Sequence, residues 1–149
     1  MRDFVETRPR SVMWPRRIVL VDGHKDFRQL VSLLFRARRH DVVEACDGTT
    51  GLTAIERERP DAVFIDLQVA APNAYEVARR VRARPELASV LLVAISDGDD
   101  PDERQRAIEA GFDTCLVKPT SADELEAALR TPAAANEQAE QPNMYDSAG

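Results

Sequence analysis

The sequence is poor in cysteine and histidine, the residues that build disulfide-rich domains and structural zinc sites. Its 149 residues include two cysteines, Cys46 and Cys115, and two histidines. The cysteines do not show the spacing of a zinc site and have no partner histidines nearby. Free thiols in a reducing cytoplasmic compartment are therefore expected.

Long apolar runs and an excess of positive charge are also missing. No apolar stretch approaches the length of a membrane span, and the arginine-containing first 17 residues lack the apolar core of a signal peptide. Twenty basic residues stand against 26 acidic ones, for a formal net charge of -6. This balance disfavours a dedicated nucleic-acid binder. We therefore expect no membrane and no nucleic-acid partner.

What is present is the composition of one ordinary globular domain, with 44% hydrophobic and 31% charged residues. The apolar patterning is concentrated in residues 17–131, which we take as the domain. Residues 1–16 are predicted to form a flexible arm. Residues 132–149 are rich in Ala, Gln, Glu and Asn, and are predicted to form a disordered tail.

Short apolar runs recur along the domain. Ile18–Val21, Ala62–Ile65 and Val90–Ile95 are continuous and rich in Val and Ile, which is typical of strands buried on both faces of a parallel sheet. The weaker runs Val42–Cys46 and Cys115–Val117 predict edge strands.

Helical patterns lie between and after these runs. The first places apolar residues at i, i+3, i+4 and i+7. The residues that mark the five helices are Phe27, Leu30, Val31 and Leu34; Leu52 and Ile55; Val77 and Val81; Ala107 and Ile108; and Leu125 and Leu129. Ser121 followed by Glu124 predicts a capping box for the last helix. Strict alternation of strand and helix favours an α/β, doubly wound (βα)5 fold of the flavodoxin-like kind, with five parallel strands in the order 2-1-3-4-5. In this order the two cysteines lie on opposite edges and should not pair.

Four of the apolar runs end in a polar residue. Asp22, Asp66, Ser96 and Lys118 each follow one run directly. Because the carboxyl ends of parallel strands share one edge of the sheet, these side chains are expected to converge there. Two nearby carboxylates need a cation to relieve their repulsion, which Lys118 and a Mg²⁺ ion can supply. A carboxylate in such surroundings is suited to accept a phosphoryl group.

At this point the chain resembles a known family. The segments RRIVLVDGHKDFRQLVSLLF, PDAVFIDLQVAAPNAYEVARRVR, VLLVAISDGDD and AGFDTCLVKP are similar to the successive blocks of a response-regulator receiver domain. The likeness covers about residues 16–130. It implies a cytoplasmic, stand-alone signalling domain that is a phosphoacceptor rather than an ordinary enzyme.

The resemblance implies a role for each matching residue. Asp66 takes the phosphoacceptor position, Ser96 the hydroxyl that senses the phosphoryl group, and Lys118 the family lysine, whose bond to the following proline is commonly cis. Asp22, Asp66 and the backbone carbonyl of Gln68 would hold Mg²⁺. The implied partners are a histidine kinase or phosphotransfer protein, an unknown downstream protein, and a second copy bound through the face formed by helix 4, strand 5 and helix 5.

The sequence departs from the family pattern at two single residues and in one loop. Gly23 replaces the second of two adjacent acids after the first strand, so Mg²⁺ binding is expected to be weakened. The loop Val69–Ala74 lacks the usual glycines and has a displaced proline, so its conformation should differ. Cys115 replaces an aromatic switch residue. These departures support an alternative, a degenerate receiver that binds proteins without being phosphorylated.

Other polar residues near the strand ends have simpler interpretations. We expect His24 to be a solvated loop residue and Asp26 to be the N-cap of the first helix. The acidic run Asp97–Glu103 does not match a calcium-binding loop and suits a helix N-terminus.

Overall fold

A computed structural model describes residues 16–132. Five strands alternate with five helices along this range. The strands are β1 (Arg17–Val21), β2 (Asp41–Ala45), β3 (Ala62–Asp66), β4 (Leu91–Ser96) and β5 (Thr114–Val117). The helices are α1 (Lys25–Ala37), α2 (Gly48–Glu58), α3 (Ala74–Ala83), α4 (Pro101–Ala110) and α5 (Ala122–Ala128), with a 3₁₀ turn at Pro85–Leu87. The predicted arm and tail lie outside the described residues, apart from Arg16, which is buried, and Pro132.

All five strands are parallel and lie in the order β2-β1-β3-β4-β5. This confirms the predicted flavodoxin-like fold and the assignment of β2 and β5 to the edges. Every residue of β3 and β4 is buried, which accounts for their continuous apolar sequences. Cys46 and Cys115 are free, as expected from their positions at opposite edges.

Alternate side chains of the sheet enter two separate core layers. On β1, Ile18 and Leu20 belong to the layer that α1 and α5 cover. Val19 and Val21 belong to the other layer, which α2, α3 and α4 cover. This alternation follows from the two-residue period of a strand. With helices on both faces, the carboxyl edge of the sheet is the place where polar side chains can gather without disturbing either core.

The sequence also predicted the N-terminal caps of α5 and α1 and the apolar face of α1. The capping box of α5 is confirmed, because Ser121 and Glu124 each bond the other's backbone N–H. Asp26 is not the N-cap of α1, and this prediction was wrong. His24 holds that position in an extended conformation, because its N–H donates to the carboxylate of Asp22 at 2.7 Å. Leu30 of α1, which was assigned to the apolar face, is 52% exposed.

None of the helices within residues 16–132 combines the length and the apolar composition required to cross a bilayer.

One arginine connects several elements at the edge of the sheet opposite to the polar strand ends. Arg82 of α3 donates to the carbonyls of Ala88 and Val90 at 2.7 Å and to that of Gly111 at 2.9 Å. It also pairs with the buried carboxylate of Asp113 at 2.8 Å. The side chain of Arg82 thus ties the last turn of α3 to the residues that precede β4 and β5.

Candidate functional site

The polar residues at the strand ends lie together at the carboxyl edge of the sheet. Asp22 and Asp66 come from the adjacent strands β1 and β3 and are 0% and 1% exposed. Ser96 ends β4 and is also buried, and Lys118 follows β5. The topology therefore brings the four predicted site residues to one edge, as their spacing indicated.

Lys118 is the cation of this cluster. Its Nζ lies 3.0 Å from Asp66 Oδ2, 3.4 Å from Asp22 Oδ2 and 3.7 Å from the exposed Asp97. It also lies 4.3 Å from the centre of the Phe27 ring. Burial lowers the pKa of Lys118, but the hydrogen bond and the charges of these carboxylates outweigh burial and raise the pKa above its usual value. The ammonium therefore stays charged at neutral pH.

The carboxylate of Asp22 is in a less favourable environment. Burial, together with the nearby charge of Asp66, raises its pKa, and the backbone N–H of His24 and the charge of Lys118 compensate only in part. Its Oδ2 has no hydrogen-bond partner within the described residues. An added cation at this oxygen would relieve both effects.

Asp66 is held from two sides. Its Oδ1 accepts the backbone N–H of Gln68 at 2.9 Å, and its Oδ2 accepts a hydrogen bond from Lys118. A backbone N–H two residues along the chain and a lysine that follows β5 together fix the orientation of the carboxylate at the end of β3.

His24 contacts both buried acids. Its Nδ1 lies 3.2 Å from Asp22 Oδ1 and 3.3 Å from Asp66 Oδ2, although the side chain is 63% exposed. His24 is exposed, as expected for a loop histidine, but its contacts with the two acids were not predicted. His24 was missed because nothing in its sequence position shows that the turn after β1 points its ring back across the strand ends.

The hydroxyl of Ser96 is not hydrogen-bonded to Asp66 in this structure. It donates to the carbonyl of Gly98 at 2.7 Å. Cys115 lies opposite Ala94 in the sheet register, and its Sγ lies 3.8 Å from the backbone carbonyl oxygen of Leu116. Burial raises the pKa of the Cys115 thiol, and the nearby Ser96 hydroxyl offsets part of that change. The residue in the aromatic-switch position thus lies on the strand next to Ser96.

The loop after Asp66 packs on the N-terminus of α2. The N–H of Gly48 donates to the carbonyl of Ala70 at 2.9 Å, and the Thr49 hydroxyl donates to that of Ala71 at 3.3 Å. A Cβ added at Gly48 would lie only 1.9 Å from the carbonyl oxygen of Pro72. The loop has a cis Ala71–Pro72 bond, and the Lys118–Pro119 bond is cis, as the family resemblance implied.

We expect Gly48→Ala to lower the free energy of unfolding by about 1–3 kcal/mol, because the new methyl group cannot fit unless the loop moves away. Chemical denaturation monitored by circular dichroism would measure the change. Gly98→Ala is the matched control, since an added Cβ there meets nothing within 4 Å. Equal stabilities for the two variants would show that this packing is not tight.

The donor atoms at this edge fit a divalent cation. One oxygen from each of Asp22 and Asp66 and one nitrogen of His24 lie within 4.8 Å of one another. The unbonded Oδ2 of Asp22 supplies a buried anionic ligand. A Cβ at Gly23 would come no closer than 3.4 Å to its nearest neighbour, the carbonyl oxygen of Cys46, so the backbone here accepts a side chain without a clash at Cβ.

A comparison with protein families decides what kind of domain carries this site. The model for the response regulator receiver domain matches residues 18–130. The chain belongs to this family. Receiver domains are signalling phosphoacceptors that work in two-component systems with histidine kinases or phosphotransfer proteins, and they bind Mg²⁺ in their active sites.

Similar proteins agree with this assignment. The receiver domain is 31% identical over 119 residues to a probable transcriptional regulator, ycf27, of Porphyridium aerugineum, covering 80% of this chain and 48% of that protein. It is 32% identical over 115 residues to the DNA-binding response regulator MtrA of Mycolicibacterium paratuberculosis, covering 77% of this chain and 50% of that protein. The chain thus spans about half the length of these relatives.

Solved structures show the same fold. The chemotaxis response regulator CheY4 of Vibrio cholerae superposes with a TM-score of 0.74 at 22% identity, covering 78% of this chain and 98% of that one. The receiver domain of a sensor histidine kinase from Pseudomonas aeruginosa, solved with a magnesium ion coordinated in the active site cleft, has a TM-score of 0.72 at 24% identity, with coverage of 78% and 96%.

Proposed function

We propose that this receiver domain accepts a phosphoryl group on Asp66 from a histidine kinase or phosphotransfer protein in the cytoplasm. The observation that carries the proposal is the contact of Lys118 with Asp66 beside a second buried carboxylate, Asp22. Such a pair of buried acids is unfavourable for stability unless a cation offsets their repulsion, and a cation-dependent reaction accounts for this arrangement.

The groups around Asp66 suit phosphoryl transfer. A carboxylate oxygen of Asp66 would attack phosphorus as the bond from phosphorus to the donor's histidine nitrogen breaks, and the imidazole would leave with that bond's electrons. Lys118 would neutralise charge on the transferring oxygens. Mg²⁺, held by Asp22, Asp66 and the Gln68 carbonyl, would supply further positive charge. Ser96 would exchange its bond with Gly98 for one with a phosphoryl oxygen.

Exposed apolar residues support contact with a donor protein. Leu30 and Leu33 of α1 are 52% and 64% exposed, and α1 begins three residues after Asp22. They place an apolar surface on the helix that starts at the site. Ile108 of α4 is also exposed, on the face where the family resemblance implies a dimer or a downstream partner.

Acetyl phosphate tests the proposal without a cognate kinase. Incubation with acetyl phosphate and Mg²⁺ should add one phosphoryl group to the intact mass, and Asp66→Asn should add none. Asp97→Asn is the matched control, because this exposed acid also lies near Lys118 but is expected to leave the reaction intact. An unchanged mass of the native chain would instead support the alternative of a phosphorylation-independent interaction module, which the Gly23 substitution favours.

We expect Gly23→Asp to tighten Mg²⁺ binding roughly tenfold, because it adds an oxygen ligand and a negative charge at a position where a Cβ meets no neighbour closer than 3.4 Å. The same change should lower the stability of the metal-free domain, since a third carboxylate adds repulsion. Calorimetric titration with Mg²⁺ and denaturation in EDTA would measure the two effects. Unchanged Mg²⁺ affinity would show that Gly23 is not the cause of weak binding.

A further inference from the structure

We propose that His24 is a third side-chain ligand of the metal, beside Asp22 and Asp66, and gives this site a preference for a nitrogen-binding divalent cation, such as Zn²⁺ or Co²⁺, over Mg²⁺. This inference rests on the metal site proposed above, but it does not depend on phosphorylation of Asp66. It concerns a residue that takes no part in the transfer described for Asp66.

The geometry places the imidazole among the metal-binding oxygens. His24 Nδ1 lies 3.2 Å from Asp22 Oδ1, within hydrogen-bond distance, and 3.3 Å from Asp66 Oδ2. Separations of this size also suit atoms that share one ion, since ligand bonds of about 2.0–2.2 Å place neighbouring ligands roughly 3 Å apart. The backbone N–H of His24 is bound to Asp22, so the turn that carries the ring is fixed to one of the other ligands.

A buried oxygen independently indicates a missing ligand. Oδ2 of Asp22 is fully enclosed and accepts no hydrogen bond from the described residues. Lys118 lies 3.4 Å from it and 3.0 Å from Asp66 Oδ2. Two carboxylates against one ammonium leave a net negative charge in the cluster, which a divalent cation would relieve.

The donor chemistry decides which cation is favoured. Mg²⁺ prefers an octahedron of oxygens, and Gly23 removes one carboxylate from that set. Imidazole nitrogen suits Zn²⁺, Co²⁺ and Ni²⁺ far better than Mg²⁺. The exchange of an acid at position 23 for an imidazole at position 24 therefore changes the kind of ion that fits, as well as the strength of binding. The ring's exposure leaves it able to adjust to the ion.

Assignment of a bound imidazole would be unambiguous in this chain. The sequence has two histidines, and the other one, His40, is buried with both ring nitrogens engaged. Its Nδ1 accepts the backbone N–H of Arg16 at 2.9 Å, and its Nε2 lies 3.1 Å from Glu126. An imidazole signal from a bound ion would therefore come from His24.

Cobalt is the probe for this test, used with the full chain free of any polyhistidine tag. Proton NMR of the Co²⁺-loaded protein should show strongly shifted imidazole signals that His24→Asn removes. In competition titrations His24→Asn should weaken Co²⁺ and Zn²⁺ binding by at least about 10–100-fold, since loss of a group that only supports a ligand already has an effect of that size. It should change Mg²⁺ binding by less than about threefold, because Mg²⁺ is held mainly through oxygens and water. Cys46→Ser is the control for the exposed thiol, and it should change neither result.

Each failure has a distinct meaning. If Co²⁺ binds without shifted imidazole signals, or if His24→Asn weakens Mg²⁺ as much as Co²⁺, the inference about His24 is wrong and the proposed Mg²⁺ site is untouched. If no divalent cation binds, both are wrong. If Cys46→Ser abolishes Co²⁺ binding, the thiol is the ligand and the inference is again overturned.

Discussion

Replacement of Arg82 by methionine is expected to lower the free energy of unfolding by about 3–5 kcal/mol, because it removes the cation that pairs with the buried carboxylate of Asp113. The side chain of Asp113 is 2% exposed, and it also accepts a hydrogen bond from the backbone N–H of Leu92. Methionine retains much of the apolar stem of arginine but none of its five donors. The carbonyls of Ala88, Val90 and Gly111 would also lose their partner.

Urea denaturation of Arg82→Met and of Arg80→Met would measure this effect. Arg80 lies on the same helix and pairs with Glu76 at 2.9 Å, but both side chains are largely solvent-accessible. Its loss should cost at most about 0.5 kcal/mol. A loss of less than about 1 kcal/mol in the free energy of unfolding of Arg82→Met would mean that water replaces the hydrogen bonds of Arg82. The contacts of Arg82 would then not be important for stability.

We expect Lys118→Met to destabilise the metal-free domain by about 3 kcal/mol at neutral pH, because Asp22 and Asp66 would remain buried with no ammonium between them. The same variant should fail to accept a phosphoryl group from acetyl phosphate, because the transferring oxygens lose their positive neighbour. Addition of Mg²⁺ should restore part of the stability and none of the reaction.

The sign of the pH dependence of the free energy of unfolding follows from the titration of Asp22. Its folded-state pKa is raised, so the proton is bound more tightly in the folded than in the unfolded protein. The favourable contribution of Asp22 is therefore present below its ordinary value of 3.8 and is lost as the pH rises through the folded-state pKa. Removal of Lys118 takes away a charge that lowers this pKa, so the deficit of the variant should shrink as the pH falls toward 3.8.

Thermal denaturation across this pH range would test the expectation. Lys25, the only other lysine, is exposed in the first turn of α1, and Lys25→Met is the matched control. A deficit that stays constant from neutral to acidic pH would show that lost packing, rather than charge, causes the effect.

The parts of the fold that depend on local patterns could be predicted from the sequence. The apolar runs of β1, β3 and β4 are long enough to identify buried parallel strands, and the residue after each run indicates which side chains meet at the carboxyl edge of the sheet. Ser121 and Glu124 are close enough along the chain for a capping box to be predicted.

The parts that depend on distant contacts could not be predicted. Arg82 has the same appearance in sequence as the surface arginines beside it, because its partner Asp113 is 31 residues away. Glycine is required at position 48 because a side chain there would collide with the backbone carbonyl of Pro72, which is distant in the sequence. Leu30 fits the apolar period of the sequence, but α1 packs Val31 and Phe35 against the sheet and leaves Leu30 exposed to solvent.

The position of Arg82 also limits how the site can move. Its bonds join the residues immediately before β4 and β5, at the amino ends of these strands, whereas Ser96 and Lys118 lie at their carboxyl ends. A register slip of β5 along β4 would break the whole cluster at once. If Asp66 is phosphorylated as proposed, we therefore expect any displacement of Ser96 to be a local bending of the carboxyl ends of the strands, with their amino ends held in place, rather than a sliding of one strand past the other.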